Sequence, residues 1–477
     1  MNRSIILHIL GWILTVEAAL MIFPCIVAAL YHESSGFAFL ITIGLCLLAG
    51  IPLILKKPKS KLFFSREGII SVALGWLILS IMGSLPFYIS AAIPSYVNAL
   101  FETISGFTTT GASILSDVEA LPKCMLFWRC FTNWIGGMGI LVFILAIMPM
   151  TGGEGMHILR AESAGPSISK LTPRLKTTAL TLYIIYFGMT LMQCILLLIG
   201  RMPLFDAITL SLSTAGTGGF AIKNSSIADY SVINQIIIGV FMFLFGVNFN
   251  IYYLLLFRKF KPAFKSEELR AYIIIVLSSI VLIALNISGP AKFFSSLHDA
   301  AFQVSSIITT TGFSTVDFNT WPTFSKTILV IIMFIGACAG STCGSMKVSR
   351  IVILFKALGK ELSYLMHKRS VKILKFNGAK IEHEVLRSIN VFFVSYIFIF
   401  AISVLLVALD NFDFTSSFTA VAATLNNIGP GLEKVGPMGN FSSFSVLSKF
   451  VMMFDMLAGR LEIFPVLLLF TPSTWKK

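Results

Sequence analysis

Four short stretches of the 477-residue chain carry a chemistry of backbone rather than of side chains. They read Thr108-Thr109-Thr110-Gly111, Gly216-Thr217-Gly218-Gly219, Thr309-Thr310-Thr311-Gly312 and Asn426-Asn427-Ile428-Gly429. Glycine reaches backbone angles closed to other residues, so successive carbonyls around it can point the same way. A ring of such carbonyls can replace the hydration shell of a cation. The candidate ligands are Thr109, Thr110, Gly111, then Thr217, Gly218, Gly219, then Thr310, Thr311, Gly312, and last Asn427, Ile428, Gly429. The stretches superpose without a gap. Six residues before each final glycine stand Ser105, Ser213, Ser306 and Ala423, and thirteen before it stand Asn98, Asp206, Asp299 and Ser416. The last four are expected to be helix N-caps, since a side-chain oxygen satisfies free N–H groups of a first turn. One Thr/Gly-rich loop would pass for a turn; four in phase argue for a repeat.

The elements that hold these loops come from an unusually apolar chain. Hydrophobic residues make up 56% and charged residues 12%, against about 25% charged in soluble chains. Too few charges are present to cover a soluble globule, and the same numbers exclude disorder. An integral membrane protein is expected. A hydrocarbon core of about 30 Å takes about 20 apolar residues in helix. Ten runs meet that length: 5–30, 37–55, 69–91, 124–149, 177–200, 232–257, 271–289, 326–355, 389–409 and 445–470. The first exceeds a signal-peptide core of about 7–15 residues and reads as a retained helix. The segments ahead of the four glycines are too apolar for loops and too short to cross. Twelve helical residues reach about 18 Å, roughly half the membrane. Each is expected to be a re-entrant half-helix with its partially negative C-terminal end aimed at the membrane centre, which favours a cation there. Non-helical backbone at that depth must be buried in protein or line a water-filled path. The fold class is all-α integral membrane, with ten transmembrane helices plus four re-entrant pore half-helices in pseudo-fourfold helix–pore loop–helix repeats around one pore. The expected divisions are an extra helix pair at 1–66 and repeats at 67–160, 161–262, 263–380 and 381–477.

The formal charge of +14 is read as topology rather than as a nucleic-acid surface. Lys56, Lys57, Lys59, Lys61 and Arg66 share one loop, Arg160, Lys170, Arg174 and Lys176 a second, and Arg258, Lys259, Lys261, Lys265 and Arg270 a third. Ten more lie in 347–387, among them Lys347, Arg350, Lys368 and Arg369; with Arg3, Lys476 and Lys477 these make 27 of the 36 on one side. The positive-inside rule places both termini and these loops in the cytoplasm. Seven scattered cysteines show neither metal spacing nor a disulfide framework.

At SGFTTTGAS (105–113), NWIGGMGILV (133–142), TTTGFSTVDF (309–318), GSTCGSMKV (340–348), NNIGPG (426–431) and GRLEIFPVLLLFTP (459–472) the chain resembles the Trk/Ktr/HKT superfamily, specifically the bacterial TrkH-type potassium uptake subunit. The likeness runs over essentially the whole length. It implies a pseudo-tetrameric pore in one chain, a bacterial inner-membrane location, K⁺ as the transported ion, a cytosolic nucleotide-binding regulatory subunit of TrkA type, and a homodimer. Some sodium-selective relatives replace the first filter glycine with serine. Here Gly111, Gly219, Gly312 and Gly429 are all present, which by resemblance points to potassium. The TVGYG filter of strict channels is absent, and Asn426 and Asn427 break the fourfold symmetry.

Other residues leave alternatives open. Gly336, Gly340, Ser341, Thr342, Cys343, Gly344 and Ser345 interrupt the eighth hydrophobic run. They read either as a packing motif of small residues or, by likeness, as an intramembrane gate loop. Arg460 lies inside the last span, where a charge needs partners or water. It reads either as half of a structural ion pair with Asp455 or Glu102, or as a pore charge that keeps bound K⁺ from being held too tightly. Arg129 is expected to snorkel at an outer end, and Glu17 has no evident partner. The six histidines form no HExxH pair and no GxxxxGK[ST] loop occurs, so an enzyme is not expected. Ion movement reads either as channel-like flow down the membrane potential or as symport with H⁺ or Na⁺, for which Glu17, Glu102 and Asp455 are the candidate carboxylates. The first is favoured. The basic segment 347–387 serves topology, or else docks the cytosolic regulator.

Overall fold

The computed structural model describes residues 2–56, 65–139, 175–288, 293–368 and 373–475. Within these the chain is helical apart from loops, short 3-10 turns and one antiparallel hairpin pairing Lys375–Phe376 with Ala379–Lys380. Six helices are long and apolar enough to cross a membrane: Arg3–Leu30, Gly36–Leu55, Arg66–Ile89, Leu180–Ile199, Glu267–Ile287 and His383–Asp410. A seventh counts if Val232–Phe245 and Phe249–Leu256 form one span bent by 92°.

Large apolar side chains face outward as well as inward, and the polar residues of the four loops lie inside. Leu48 and Leu405 are 77% and 71% exposed, while Thr108, Thr217, Thr309 and Asn426 are fully buried. Lipid tails are as apolar as leucine, so an outward leucine face is at no disadvantage in a bilayer. The first two helices cross closely, because a Cβ on Gly11 would stand 2.9 Å from the Gly50 carbonyl oxygen. A core of Trp76, Phe101, Phe107, Trp128, Met452 and Met456 ties the N-terminal part of the chain to its last quarter. A second core joins Tyr272, Ile308, Met333 and Cys338 to Ile428.

The half-helices span Tyr96–Phe107, Leu204–Gly216, Phe293–Ile308 and Phe414–Leu425. They start earlier than expected, which corrects the four N-caps. Asn98, Asp206 and Ser416 are each the third helical residue and Asp299 is the seventh. Ser95, Pro203 and Asp413 hold the cap positions of the first, second and fourth, and only Asp413 accepts a side-chain bond, from the Ser416 N–H at 2.9 Å. The displaced residues work sideways instead. Asn98 accepts from Lys449 Nζ at 2.9 Å, and Asp206 from the Tyr230 hydroxyl at 2.9 Å.

The helices following the loops are not continuous spans. Lys123–Met138 ends at Gly139 with φ 78°, and 140–149 lies outside the described residues. Run 326–355 stops at Ile335 and resumes at Val348. Run 445–470 breaks after Arg460, with Glu462 and Ile463 at φ 56° and 69°, before Phe464–Phe470. Backbone freed at such breaks has to find partners in neighbouring helices. The basic residues Lys57, Lys59, Lys61, Arg160, Lys170, Arg174 and Arg369 also lie outside the described residues.

Candidate functional site

All four loops leave their half-helices in the same conformation. Thr109, Thr217, Thr310 and Asn427 have φ between 52° and 56°, and two residues later Gly111, Gly219, Gly312 and Gly429 have φ 77°, 71°, 88° and 97°. The residue between them donates its N–H five residues back: Thr110 to Ser105, Gly218 to Ser213, Thr311 to Ser306 and Ile428 to Ala423, at 2.8–3.0 Å. This is the Schellman pattern that ends a helix through a left-handed residue. Glycine usually occupies that place, and a threonine there is strained by roughly 1–2 kcal/mol. The strain is over-determined by packing. Thr108 and Thr110 share a hydroxyl bond of 2.8 Å, as do Thr309 and Thr311. Asn427 bridges the fourth loop to the first, donating to Thr110 Oγ1 and to the Met456 carbonyl at 2.9 Å each.

The final glycines close a ring. A Cβ built on Gly111 would lie 2.3 Å from the carbonyl oxygen of Gly218, on Gly219 1.9 Å from that of Thr311, on Gly312 2.1 Å from that of Ile428, and on Gly429 2.7 Å from that of Thr110. Each loop thus abuts a carbonyl of the next, in the cyclic order one to two to three to four and back. The four glycines line a single cavity of about 220 Å³ with Arg129 and Lys223 at its wall. A second cavity, about 110 Å³, is lined by Gly340, Ser341, Cys343, Gly344, Ser345, Lys347, Gly137, Gly139 and Arg460.

The segment 336–347 lines the second cavity and touches the second, third and fourth repeats directly. The Gly344 N–H donates to Thr310 Oγ1 at 2.9 Å, and a Cβ on Gly344 would sit 2.6 Å from the Asn426 carbonyl oxygen. The Cys338 N–H reaches the Gly246 carbonyl, and the Gly340 carbonyl accepts from Phe249. Lys347 Nζ donates to the Cys343 carbonyl, closing the loop on itself.

Arg460 joins this segment to the first repeat. It donates to the carbonyls of Gly136 and Gly137 at 2.5 and 2.7 Å, to that of Thr342 at 2.5 Å, and to Thr109 Oγ1 at 3.3 Å. Its expected carboxylate partners are engaged elsewhere. Asp455 accepts from Ser403 at 2.7 Å. Glu102 pairs with Arg129 at 2.7 Å, both side chains being at most 2% exposed. Arg129 therefore does not snorkel: it reaches inward, donating also to the Ala221 carbonyl and stacking 4.1 Å over Phe220. Glu102 completes its shell with Ser113 and the Ile114 N–H. This pair secures the segments just after Gly111 and Gly219. Sequence reading missed it because nothing in two apolar helices says which acid meets which base. Both oxygens of Glu17 are buried with no hydrogen-bond partner among the described residues.

The described chain is thus a set of long apolar helices whose four loops meet at one cavity. The family model described as TrkH, cation transport protein, matches residues 35–477, and the chain belongs to that family, one of transporters rather than enzymes. It is 38% identical over the full length of both chains to the Trk system potassium uptake protein TrkH of Salmonella typhimurium. It is 39% identical to that of Vibrio parahaemolyticus, over 99% of each chain. The crystal structure of the potassium transporter TrkH from Vibrio parahaemolyticus superposes with a TM-score of 0.89 at 35% identity, covering both chains completely.

Proposed function

We propose that this chain takes up K⁺ across a bacterial inner membrane through the ring formed by Thr109–Gly111, Thr217–Gly219, Thr310–Gly312 and Asn427–Gly429. The observation that carries the reading is the ring of four left-handed glycines, each pressed against a neighbouring carbonyl and all lining one cavity. Carbonyl rings of this kind take the place of hydration water. The half-helices direct their negative ends at the same region. Relatives named as potassium uptake proteins over full length support K⁺ as the ion.

In this reading ten spans and four half-helices surround the pore, with an extra pair at 1–66 and four repeats at 67–160, 161–262, 263–380 and 381–477. Both termini face the cytoplasm, where a TrkA-type nucleotide-binding subunit acts on a homodimer. Segment 336–347 is the gate, lying across the path beyond the ring, and Arg460 holds it against the first repeat. One charge gains about 2.3 kcal/mol per 100 mV of membrane potential, which drives uptake without a second ion against K⁺ gradients of up to roughly 50-fold at that potential. Channel-like flow is favoured over symport because Glu102 is committed to Arg129; a symporter would have to use Glu17 or the second oxygen of Asp455, which are buried without hydrogen-bond partners among the described residues. Reversal potentials in proteoliposomes test this. They should follow K⁺ alone, and a shift with pH or Na⁺ at fixed K⁺ would establish the symporter instead.

A further inference from the structure

The helix Glu267–Ile287 begins with two adjacent carboxylates, Glu268 bonded to the intramembrane segment and both bonded to the helix that leaves it. Glu268 is 5% exposed, and its Oε1 accepts the Ala339 N–H at 2.6 Å and the Ser349 N–H at 3.2 Å. Ala339 lies inside segment 336–347, and Ser349 lies in the first turn of the helix Val348–Met366 that leaves it. One oxygen atom therefore pins the segment and its exit helix to a third element. Such charge-assisted bonds to backbone N–H groups are about twice as strong as neutral ones. The neighbouring Glu267 bonds further along the same exit helix. Its carboxylate pairs with Lys356 on the exit helix, and its backbone N–H donates to Asn377 Oδ1 at 2.8 Å in the hairpin turn. Lys356 also donates to the Lys375 carbonyl at 2.9 Å. A cavity of about 530 Å³ lined by Glu268, Ala339, Ser349, Lys261, Lys265 and Asn377 opens beside the carboxylate, so the bond can yield without a packed core being broken.

We propose that Glu268 is the latch of the intramembrane segment, a positioning residue whose two backbone bonds set the blocked state. Glu267, Lys356 and Asn377 connect that latch to the hairpin 375–380. This rests on segment 336–347 being the gate. Displacing the hairpin moves the exit helix, separates Ser349 from Glu268 and frees Ala339 with it.

The test is K⁺ flux into liposomes holding the full chain without any cytosolic partner. Glu268→Ala loses both bonds and should raise flux at least tenfold, one decade for each loss of about 1.4 kcal/mol. Glu268→Asp, one methylene short of spanning both donors, should give a smaller rise if the alanine variant does not fold. Glu268→Gln keeps an acceptor oxygen and should restore low flux. Cys343, 3% exposed, supplies a second readout: with the other cysteines replaced, it should react faster with a small thiol reagent in Glu268→Ala than in Glu268→Gln. Deletion of 340–345 separates the two ideas. If the deletion raises flux while Glu268→Ala and Glu268→Asp change neither flux nor labelling, the latch is wrong and the gate stands. If the deletion leaves flux unchanged, the gate reading itself falls.

Discussion

Serine in place of Gly219 is the sharpest perturbation of the carbonyl ring. Its Cβ would lie 1.9 Å from the Thr311 carbonyl oxygen, whereas ordinary contact begins near 3.4 Å, so that oxygen must retreat by about 1.5 Å. At Gly429 the starting distance is 2.7 Å and the retreat only about 0.7 Å. Both positions have positive φ, which adds about 1–2 kcal/mol of left-handed strain to any side chain. At about 1.4 kcal/mol per decade that strain alone is worth roughly 5–30-fold in the population of the intact ring. Selectivity depends on the number and placement of the carbonyls, so the K⁺/Na⁺ permeability ratio should fall about tenfold in Gly219→Ser. Gly312→Ser and Gly111→Ser should follow in that order, with Gly429→Ser least affected. Bi-ionic reversal potentials in liposomes measure the ratio, and monodisperse elution in detergent controls for folding. A folded Gly219→Ser protein with an unchanged ratio, or a Gly429→Ser variant worse than Gly219→Ser, would refute the ring as the selective element.

Other perturbations separate structure from conduction. Arg460→Gln removes the contact between segment 336–347 and Gly136–Gly137 and should raise K⁺ flux severalfold with little change in melting temperature; a large drop in melting temperature at unchanged flux would return Arg460 to a structural role. Glu102→Ala strands the buried Arg129 guanidinium and should cost about 3–5 kcal/mol of stability, read as a lower midpoint in thermal unfolding, while double replacement of Arg129 and Glu102 by apolar residues should recover much of it. Asp413→Ala should lose about 1 kcal/mol, the ordinary worth of an N-cap. Bonds from the Ser416 hydroxyl and N–H hold the Asp413 carboxyl below its usual pKa. Its stabilisation is thus present above the unfolded value near 4 and fades as pH falls through the lower folded value. The gap between wild type and Asp413→Ala should therefore be full at pH 6 and narrow towards pH 3.

The glycines of the ring were legible because a positive φ pressed against a neighbouring carbonyl excludes every side chain and leaves one letter. The left-handed Thr109, Thr217 and Thr310 were not, since threonine avoids that region and only the surrounding contacts keep it there. Asn427 is easier to rationalise, asparagine being among the few non-glycine residues that enter it readily. The half-helix starts were misplaced by counting back a fixed distance from each glycine. Pro94 and Pro203, which precede two of the helices, carried the better signal. The breaks at Gly139, between Phe245 and Phe249, and at Leu461–Ile463 stayed hidden because each falls inside a long apolar run, where one or two polar residues such as Asn248 or Glu462 do not announce a change of backbone. Only the break between Ile335 and Val348 is written in small residues, Gly340 to Ser345.

The cyclic contact of each glycine with the following loop gives the ring a direction, and that direction has a genetic consequence. Four identical subunits would carry any change four times over, whereas here each wall can mutate alone. Damage at Gly219 falls on Thr311, and damage at Gly312 falls on Ile428. Second-site suppressors of a glycine lesion should therefore be found one repeat downstream rather than one upstream, with the fourth repeat passing its burden to the first. Epistasis among the four loops would then run around the ring in a single sense.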